Sequence, residues 1–526
     1  MIYRSPFPDV EIPEVALQDF VLGNVAEWGD KPALIDGPSG RTITYPQLVG
    51  AVQLVAAGLH ARGFSKGDVF AIYSPNLPEY AVAFLAVARL GGTVTTVNPL
   101  YKAEELSQQL RSAGARFLVT VPPFVDKVRA VAQEVGLTEI FVFGEAEGAT
   151  PFAALMSPSA TPPDVTIHPD DVVVVPYSSG TTGLPKGVML THRNLVANIA
   201  QTHGLKEYVH VPIDANDVLL GLLPFFHIYG MTVIMLGSLY TGATIVTMPR
   251  FDLEQMLELR QQYGITYAHV VPPIILALAK HPIVARYDLS GLRGLMSGAA
   301  PLGAAVAGLA SDRLGCAVMQ GYGMTELSPV SHSNPDPPET IDRASIGPPI
   351  PNTECSLIDV QTGDDVPTGA SGELLVRGPQ VMKGYLNDPD ATAATVDEDG
   401  WLHTGDVAMV DDRGYFTIVD RVKELIKFKG FQVAPAELEA LLISHPDIAD
   451  AAVVGSPDEE AGEVPKAFVV TSGQLSASDI MEFVAERVAP HKKVRKVEFV
   501  SEIPKAASGK ILRRDLIAQE RSAAGV

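Results

Sequence analysis

The stretch YSSGTTGLPKG, at residues 177–187, lies between two apolar runs, DVVVVP before it and VMLTH after it. A P-loop would need the pattern G-x-x-x-x-G-K-[ST] between a strand and a helix. Here Gly180 and Gly183 are too close together and Lys186 is followed by glycine, while the sequence beyond predicts a second strand. Two interpretations remain open. The stretch is either a flexible Gly/Ser hairpin or a turn between two strands that holds phosphate with backbone N–H groups, hydroxyls and one ammonium.

Composition limits the classes of function that this chain can have. Its 526 residues, 47% hydrophobic and 19% charged, are typical of a multidomain globular protein. A net charge of −22 argues against general nucleic-acid binding, which needs a basic surface. The two cysteines, Cys316 and Cys355, offer neither a disulfide framework nor a metal-ligand spacing, and the N-terminus has no signal-peptide pattern. We therefore expect a cytoplasmic protein.

Residues 218–249 contain no Asp, Glu, Lys or Arg and could be mistaken for a membrane span. The segment is broken by Pro224, His227 and several glycines into short pieces. Buried strands and a helix fit these pieces better than a transmembrane helix does. No membrane span is therefore predicted.

Residues 45–63 show the helical half of an alternating strand and helix pattern. One face of this predicted helix carries Leu48, Val52, Val55 and Leu59. The apolar run DVFAIYS that follows is typical of a buried strand, and the next helix and strand patterns complete a β-α-β unit. Such units form parallel sheets, so the fold class expected is α/β.

The same pattern divides the chain into parts. Residues 1–420 predict a large N-terminal domain, with two layered α/β subdomains over residues 1–335. Residues 336–420 consist of short β segments punctuated by Gly and Pro, which predict a small β-barrel or twisted sheet. Residues 421–526 predict a small C-terminal α+β domain.

Several Gly-rich motifs follow predicted strands, where open α/β sheets bind ligands. LPFFHIYG contains His227 and Tyr229, SGAAPLG follows a strand, QGYGMTE ends in Glu326, and GWLHTGD ends in Asp406. Two lysine-bearing stretches, DRVKELIKFKGFQVAP and PKAASGKILRR, lie near the C-terminus. Taken singly, a Gly-Tyr-Gly turn or a histidine such as His227 has an equally good structural explanation. Together and in this order, the motifs indicate one functional site.

In these motifs the chain resembles the adenylate-forming superfamily of acyl-CoA synthetases, peptide-synthetase adenylation domains and beetle luciferases. YSSGTTGLPKGVMLTH is similar to its AMP-binding signature, QGYGMTE to its adenine and magnesium motif, and GWLHTGD to its ribose motif. FFHIYG, SGAAPLG and KELIKFKGFQVAPAELE most resemble 4-coumarate–CoA ligases. The resemblance covers essentially the whole chain. It implies an ATP- and Mg²⁺-dependent ligase that converts a small carboxylic acid to acyl-AMP, releases pyrophosphate and transfers the acyl group to CoA, with a mobile C-terminal domain.

The resemblance also implies roles for individual residues. The β- and γ-phosphates of ATP are expected to meet Ser178, Ser179, Gly180, Thr181, Thr182 and Lys186. The remaining nucleotide and metal contacts are expected from Gln320, Gly321, Tyr322 and Thr325 at AMP, Asp406 and Arg421 at the ribose, and Glu326 at Mg²⁺. The expected catalytic residues are Lys510, His227 and Lys427, with Lys423 as the hinge of the small domain. In the second half-reaction, AMP or CoA is expected to meet Lys427, Lys429, Gly430 and Arg250.

The acid pocket implied by the resemblance has small residues on one side of a tyrosine. Its expected members are Tyr229, Val233, Met296, Ala299, Gly321, Gly323, Pro329 and Val330. This lining leaves a flat slot, which suits an aromatic ring on a propenoate, so a cinnamate or hydroxycinnamate is the expected acid. Many 4-coumarate ligases have serine where Val233 stands.

Other functions remain open on the sequence. One is a medium- or long-chain fatty acyl-CoA or acyl-AMP synthetase. A peptide-synthetase-type enzyme would usually place an acidic residue near FFHIYG to pair an ammonium, and that segment is neutral. An inactive nucleotide-binding scaffold would be expected to lose Lys186 or Lys510, and both are present. The chain is expected to be a monomer or a homodimer.

Overall fold

The computed structural model describes the chain except for residues 157–160, 179–184, 338, 430, 459, 507–508 and 525–526, and except for the side chains of 432 and 521–524. The strands are β1 (Ile2–Arg4), β2 (Pro32–Asp36), β3 (Thr42–Thr44), β4 (Val69–Tyr73), β5 (Thr93–Val97), β6 (Ala115–Thr120), β7 (Glu139–Val142), β8 (Thr150–Pro151), β9 (Val172–Ser178), β10 (Lys186–Thr191), β11 (Val218–Gly221), β12 (Thr244–Thr247), β13 (Tyr267–Val270), β14 (Gly294–Ser297), β15 (Ala317–Gly323), β16 (Val330–Ser333), β17 (Glu354–Ile358), β18 (Ser371–Arg377), β19 (Gly384–Tyr385), β20 (Leu402–Val410), β21 (Phe416–Arg421), β22 (Ile426–Phe428), β23 (Phe431–Val433), β24 (Ile448–Asp458), β25 (Gly462–Thr471) and β26 (Lys496–Phe499).

The helices are α1 (Leu17–Leu22), α2 (Tyr45–Ala61), α3 (Pro78–Arg89), α4 (Ala103–Ala113), α5 (Val125–Val135), α6 (His192–Gly204), α7 (Gly237–Thr241), α8 (Leu253–Tyr263), α9 (Pro272–Lys280), α10 (Ala304–Leu314), α11 (Pro389–Ala393), α12 (Pro435–Ile443), α13 (Ala477–Ala485) and α14 (Arg513–Ala524). A π-helix, Tyr229–Leu236, leads directly into α7.

Two mainly parallel sheets form the larger part of the molecule. In the described residues, one has the strand order β19-β10-β9-β5-β4-β6-β7-β8 and the other β16-β15-β14-β13-β11-β12-β2-β3. One apolar cluster joins them, because it contains Val94 of β5, Leu195 of α6 and Leu220 of β11. This architecture confirms the expected fold class of two layered α/β units.

The opening stretch connects two antiparallel strands. Lys186 lies opposite Ser178, and Gly187 lies opposite Tyr177, in the ladder between β9 and β10. The predicted strand–loop–strand arrangement is therefore correct, and a P-loop is excluded because no helix follows Lys186 directly. The tip of the turn, at residues 179–184, lies outside the described residues.

The segment that follows the second α/β unit is rich in β structure, as expected. Its described strands form an antiparallel sheet in the order β1-β17-β18-β20-β21. The N-terminal strand β1 pairs with β17, so the first residues of the chain complete a sheet built from its later part. Beyond residue 421, strands β22–β26 and helices α12–α14 form a compact α+β unit with its own apolar cluster.

Helix α2 illustrates how the sequence specifies these elements. Thr44 accepts a hydrogen bond from the backbone N–H of Gln47, whose side chain in turn accepts from the Thr44 N–H, a capping box that begins the helix. Its predicted apolar face is buried, with Leu48 and Val55 fully inaccessible. Gly63 follows the helix with a φ of +84°, a conformation that glycine adopts without strain.

The uncharged segment at residues 218–249 folds as β11, the π-helix, α7 and β12. None of the helices in the described part of the chain combines the length and apolar character needed to cross a membrane.

Candidate active site

One cavity of about 1290 Å³ lies where the parallel strands β11, β13, β14 and β15 end and where the C-terminal unit covers them. The carboxyl ends of such strands are the usual ligand site of open α/β sheets. Most of the residues singled out from the sequence line this cavity: Ser178, His227, Tyr229, Val233, Met296, Ala299, Gly321, Tyr322, Gly323, Thr325, Glu326, Pro329, Val330, Asp406, Arg421, Lys423 and Lys510.

Other predicted residues lie away from the cavity. Among the described candidates, those that do not line it are Lys186, Arg250, Gln320, Lys427 and Lys429. The Lys186 ammonium lies 3.6 Å from Asp388 and 5.0 Å from the centre of the Tyr385 ring. Lys429 forms a 2.6 Å ion pair with Glu460. Outside the described residues lie Ser179, Gly180, Thr181, Thr182 and Gly430.

Gln320 has a structural role that its motif did not reveal. Its side-chain oxygen accepts a 2.9 Å hydrogen bond from the Leu302 N–H, and its side-chain nitrogen donates to the Leu302 and Arg343 carbonyls. The side chain therefore fixes the loop after β14 against β15.

At one end of the cavity, a buried carboxylate is held by two groups. The Tyr322 hydroxyl donates a 2.5 Å hydrogen bond to Asp406 Oδ2, and Arg421 Nε lies 3.1 Å from Asp406 Oδ1. Burial, followed by the Asp406 charge, raises the pKa of Tyr322 well above its usual value, so its hydroxyl stays a donor. The Asp406 carboxylate is thus an oriented hydrogen-bond acceptor beside the Tyr322 ring.

A second carboxylate lies close to the β9–β10 turn. Glu326 Oε1 accepts hydrogen bonds from the Ser178 hydroxyl at 3.1 Å and the Tyr385 hydroxyl at 2.9 Å. Proteins usually bind Mg²⁺ through one or two carboxylates together with substrate phosphates and water. Glu326, beside the Ser178 hydroxyl, fits as one such carboxylate.

Lys510 and His227 line the same cavity and interact electrostatically. Burial, followed by the charge of Arg421, lowers the pKa of Lys510 to about 8, while the Glu424 and Asp406 charges act in the opposite direction. Burial and the Lys510 charge lower the pKa of His227 to about 4, so its ring is neutral near pH 7. Because His227 Nδ1 accepts a 3.3 Å hydrogen bond from the Tyr229 N–H, the ring proton is on Nε2.

Arg513 positions the segment that carries Lys510. The sequence reasoning missed this role. Its guanidinium contacts Glu424 and lies 2.5 Å from Glu439 Oε2, and all three side chains are largely buried. Glu439 also accepts a 2.8 Å hydrogen bond from the Val453 N–H. The double arginine after Lys510 in PKAASGKILRR was the signal that could have drawn attention to this residue.

The other end of the cavity forms a narrow slot around Tyr229. The Tyr229 hydroxyl donates to the Met296 carbonyl at 3.2 Å and lies 3.2 Å from His269 Nδ1. A Cβ at Gly298 would come within 2.7 Å of the Tyr229 ring, and one at Gly323 within 2.0 Å of the Pro329 carbonyl. Glycine is therefore required at Gly298 for the Tyr229 ring to lie against the backbone, and at Gly323 for the close approach of the Pro329 carbonyl.

Two buried residues support the lining beside Tyr229 without a motif to mark them: His269 lines the cavity, and Asn198 holds the backbone of Val330, which lines it. Asn198 binds both backbone groups of Val330, donating to its carbonyl at 2.8 Å and accepting from its N–H at 3.1 Å. Burial lowers the pKa of His269 to about 3, so this ring is neutral. Asn198 and His269 lie in the segments NLVANIA and TYAHVVP, which have the composition of ordinary core segments. The sequence therefore did not mark these two residues as functional.

The fold places one large cavity between two α/β units and a C-terminal unit, with a buried lysine among its lining residues. Comparison with protein families agrees: residues 23–386 match the AMP-binding enzyme family and residues 437–510 match the AMP-binding enzyme C-terminal domain. The chain belongs to the AMP-binding enzyme family.

The curated relatives narrow this class. The chain is 47% identical over 521 residues to a 4-coumarate–CoA ligase of Pinus taeda, covering 98% of this chain and 97% of that protein. It is also 47% identical to 4-coumarate–CoA ligase 3 of Oryza sativa subsp. japonica, covering 100% of this chain and 96% of that protein. This chain is accordingly an AMP-forming acid–thiol ligase, as the motifs predicted.

Solved structures agree with the fold over nearly the whole chain. An anthranilate CoA ligase, AuaEII, in complex with anthranoyl-AMP has a TM-score of 0.90 at 27% identity, covering 98% of this chain and 99% of that one. ATP-bound MatB from Rhodopseudomonas palustris has a TM-score of 0.87 at 30% identity, covering 97% of this chain and 100% of that one. ATP and CoA are the co-substrates expected of this family.

Proposed function

We propose that this ligase activates a cinnamate-type aromatic acid as its acyl-AMP and then transfers the acyl group to CoA. The observation that carries the proposal is the part of the cavity beside Tyr229, in the same cavity that Lys510 and His227 line. Gly321 and Gly323 line it without side chains of their own, which suits a planar aromatic ring better than a branched group. The names of the curated relatives point to the same class of acid.

In the first half-reaction, a carboxylate oxygen of the acid forms a bond to the α-phosphorus of ATP, and the bond from that phosphorus to the pyrophosphate oxygen breaks. The Lys510 ammonium is the group proposed to stabilise the charge that develops on the α-phosphate. His227 Nε2–H is proposed as a donor that orients the carboxylate. A buried, dry position strengthens both interactions.

The remaining proposed contacts are to the ribose and base at one end of ATP and to its phosphates at the other. Asp406 is proposed to accept hydrogen bonds from the ribose hydroxyls, with Tyr322 and Arg421 keeping it oriented, and the backbone beside Gly321 and Thr325 to contact the base and α-phosphate. The β9–β10 turn and Lys186 are proposed to hold the β- and γ-phosphates. Glu326 is the residue that would hold Mg²⁺, which when bound supplies further neutralisation of phosphate charge.

In the second half-reaction, the CoA sulfur forms a bond to the acyl carbon and AMP leaves with the electron pair of the broken C–O bond. Lys510 is the group proposed for the first step, and the second step needs other groups at the same acyl carbon, so we propose that the C-terminal unit turns about Lys423 between the two steps. The described contacts of this unit include Gly509 beside Val271, a 3.3 Å hydrogen bond from Lys280 to the Ile443 carbonyl, and an apolar cluster of Val407 with Leu425 and Ala434. After the turn, the proposed CoA contacts are Lys427, Lys429, Gly430 and Arg250.

The proposal is tested by measuring the two half-reactions with a panel of acids. Cinnamate, 4-coumarate, benzoate and straight-chain acids from hexanoate to hexadecanoate are each assayed for ATP–pyrophosphate exchange and for CoA thioester formation. We expect exchange and thioester formation with the cinnamates at rates well above those for the straight-chain acids. Activity confined to the straight-chain acids would contradict the proposal.

A further inference from the structure

Helix α12 of the C-terminal unit begins without a local cap. The residue before it, Ala434, has no side-chain acceptor, and its first residue, Pro435, has no N–H group. The first N–H of the helix is therefore that of Ala436, and the N–H groups of a first helical turn need partners from outside the helix. Asp420 supplies one, because its Oδ2 accepts a 3.0 Å hydrogen bond from the Ala436 N–H. A carboxylate at this end of a helix is also stabilised by the helix dipole.

The cap and the helix lie on opposite sides of the proposed hinge. Asp420 is in β21, three residues before Lys423, whereas α12 lies beyond it. The Asp420 side chain is buried, and its Oδ1 accepts a 2.7 Å hydrogen bond from the Arg421 N–H, which fixes its direction from the β21 side. A turn about Lys423 moves Ala436 relative to Asp420. The bond between them is therefore made only in orientations close to the present one.

One face of α12 contacts the second α/β unit. Ala436, Ala440 and Ile443 are spaced by four and three residues, which places them on the same face of the helix. A Cβ at Gly303 would lie 3.5 Å from the Ala440 Cβ, and Ile443 packs against the apolar cluster that joins the two α/β units. The Lys280 ammonium donates a 3.3 Å hydrogen bond to the Ile443 carbonyl. The carboxylate cap thus lies at one end of a docked helix face.

An ion pair connects α12 to the segment of Lys510. Glu439 of α12 lies 2.5 Å from the Arg513 guanidinium, and Arg513 follows Lys510 by three residues. Both side chains of the pair are largely buried, and breaking a buried pair is strongly unfavourable because it leaves an uncompensated charge. The helix and the segment therefore move together, and the position of α12 sets the position of Lys510.

We propose that Asp420 is a positioning residue, which caps α12 from across the hinge and so holds the C-terminal unit in the orientation that brings Lys510 to the cavity. The inference rests on the proposed turn about Lys423 and names a residue that favours one of its two orientations. Asp420 does not itself line the cavity. It acts through α12, Glu439 and Arg513, and its loss shifts the equilibrium toward the orientation that serves CoA.

The first measurement is the ratio of two rates, acid-dependent ATP–pyrophosphate exchange and thioester formation from supplied acyl-AMP. When each half-reaction proceeds from its own orientation, this ratio scales with the equilibrium constant between the orientations. A loss of folded protein lowers both rates equally and leaves the ratio unchanged. Removal of a helix cap changes an equilibrium constant by about two- to thirtyfold. We expect Asp420→Ala to lower the ratio by this factor, and a parental ratio would overturn the role of Asp420.

Two further variants separate positioning from ordinary helix capping. Ala434→Ser, added to Asp420→Ala, gives α12 a local cap, since the backbone at Ala434 is extended as a capping serine requires. We expect this double variant to regain thermal stability while its ratio stays low. Ser476→Ala removes the cap of α13 in the same unit, and its ratio is expected to equal that of the parent. Restoration of the ratio by Ala434→Ser, or an equal fall in Ser476→Ala, would overturn the proposal.

A disulfide distinguishes failure of this inference from failure of the proposed turn. In Gly303→Cys/Ala440→Cys the two Cβ atoms would lie 3.5 Å apart, within the range of a disulfide. Once oxidised, this protein is expected to keep exchange and to lose thioester formation until it is reduced. The oxidised protein that also carries Asp420→Ala is expected to have the same exchange rate, because the disulfide replaces the cap.

The possible results separate the proposals. An oxidised protein that still forms thioester would overturn the turn about Lys423, and the role of Asp420 with it. An oxidised protein that behaves as expected, together with a parental ratio in Asp420→Ala, would overturn the role of Asp420 alone. The acid used throughout is the one in the panel with the highest exchange rate, so inactivity with the cinnamates would overturn the proposed acid and leave the test of Asp420 in force.

Discussion

Lys510 and His227 line the same cavity, and the charge of the lysine is, after burial, one reason why the histidine stays neutral. The two residues come from the C-terminal unit and from the second α/β unit, respectively. The backbone at Tyr229 fixes the tautomer of His227, and Arg513 anchors the segment of Lys510. A cation and a neutral N–H donor thus line one cavity, and we propose that both act where the carboxylate meets the α-phosphate of ATP.

We expect Lys510→Ala to abolish acid-dependent pyrophosphate exchange while sparing CoA attack on supplied acyl-AMP. Loss of one preorganised donor typically costs about 3–4 kcal/mol, or a factor of about 10²–10³ in rate. Both half-reactions are measured on the same preparation, so the surviving thioester step also serves as the folding control. An equal loss in both half-reactions would contradict the assignment of Lys510 to the first step.

The rate of the first half-reaction is expected to fall at high pH. Lys510 acts as a cation and its pKa is about 8, so its charge is present below that pH and is lost as the pH rises through it. We predict that kcat/KM for ATP–pyrophosphate exchange is flat near pH 7 and falls about tenfold per pH unit well above pH 8. His227, with a pKa of about 4, remains neutral over this range.

Lys510→Arg supplies the control for the pH profile, since a guanidinium keeps its charge. Asp420 titrates in a nearby range because burial raises its pKa to about 7. The arginine variant changes only the lysine, so the alkaline fall should move to higher pH if Lys510 causes it. A fall that stays near pH 8 in that variant would assign it to another group.

Lys186→Ala is expected to weaken productive binding of ATP and to leave the fold intact. The lysine begins β10 opposite Ser178 and its side chain is 40% exposed, so little packing is lost. A charged hydrogen bond is worth about 1.5–3 kcal/mol, which predicts a rise of roughly ten- to a hundredfold in KM for ATP. Lys383→Ala, on a nearby surface lysine that bonds to the Asp170 carbonyl, is the matched control. An unchanged KM for ATP in Lys186→Ala would instead favour the interpretation of the turn as a flexible hairpin.

Val233 is expected to lower kcat/KM for acids that carry a ring hydroxyl, relative to kcat/KM for cinnamate. An unpaired buried hydroxyl costs about 1–3 kcal/mol, and valine cannot pair with one. We therefore predict that the parent uses cinnamate at least as well as 4-coumarate, and caffeate or ferulate less well. Val233→Ser should raise the ratio of kcat/KM for 4-coumarate to that for cinnamate by about five- to a hundredfold.

The control for this change is Val233→Ala, which shortens the side chain without supplying a hydroxyl, and its ratio should stay near that of the parent. A strong parental preference for 4-coumarate that Val233→Ser leaves unaltered would mean that another group meets the ring hydroxyl. His269 is then the residue to examine, because its Nε2 has no hydrogen-bond partner among the described residues.

Local patterns made several features of the fold predictable. The spacing of Leu48, Val52, Val55 and Leu59 predicted a helix with one buried face, and that face is buried. The pattern around Lys186 excluded a P-loop, because glycine after the lysine and the apolar run beyond it favour a strand, and β10 begins at that lysine. In each case the deciding interactions lie within a few residues of each other.

The sequence by itself therefore determined the α/β class, the strand–turn–strand and the motif residues, since backbone periodicity and turn chemistry are local. Only the tertiary structure decided how those residues are used. Gln320 belongs to a ligand-binding motif, yet its amide holds Leu302 and Arg343 instead of lining the cavity. Arg513 reaches Glu424 and Glu439, and Asn198 holds the backbone of Val330, because distant segments pack together. No local pattern encodes such pairs, since the free energy that selects them comes from burying both partners at once.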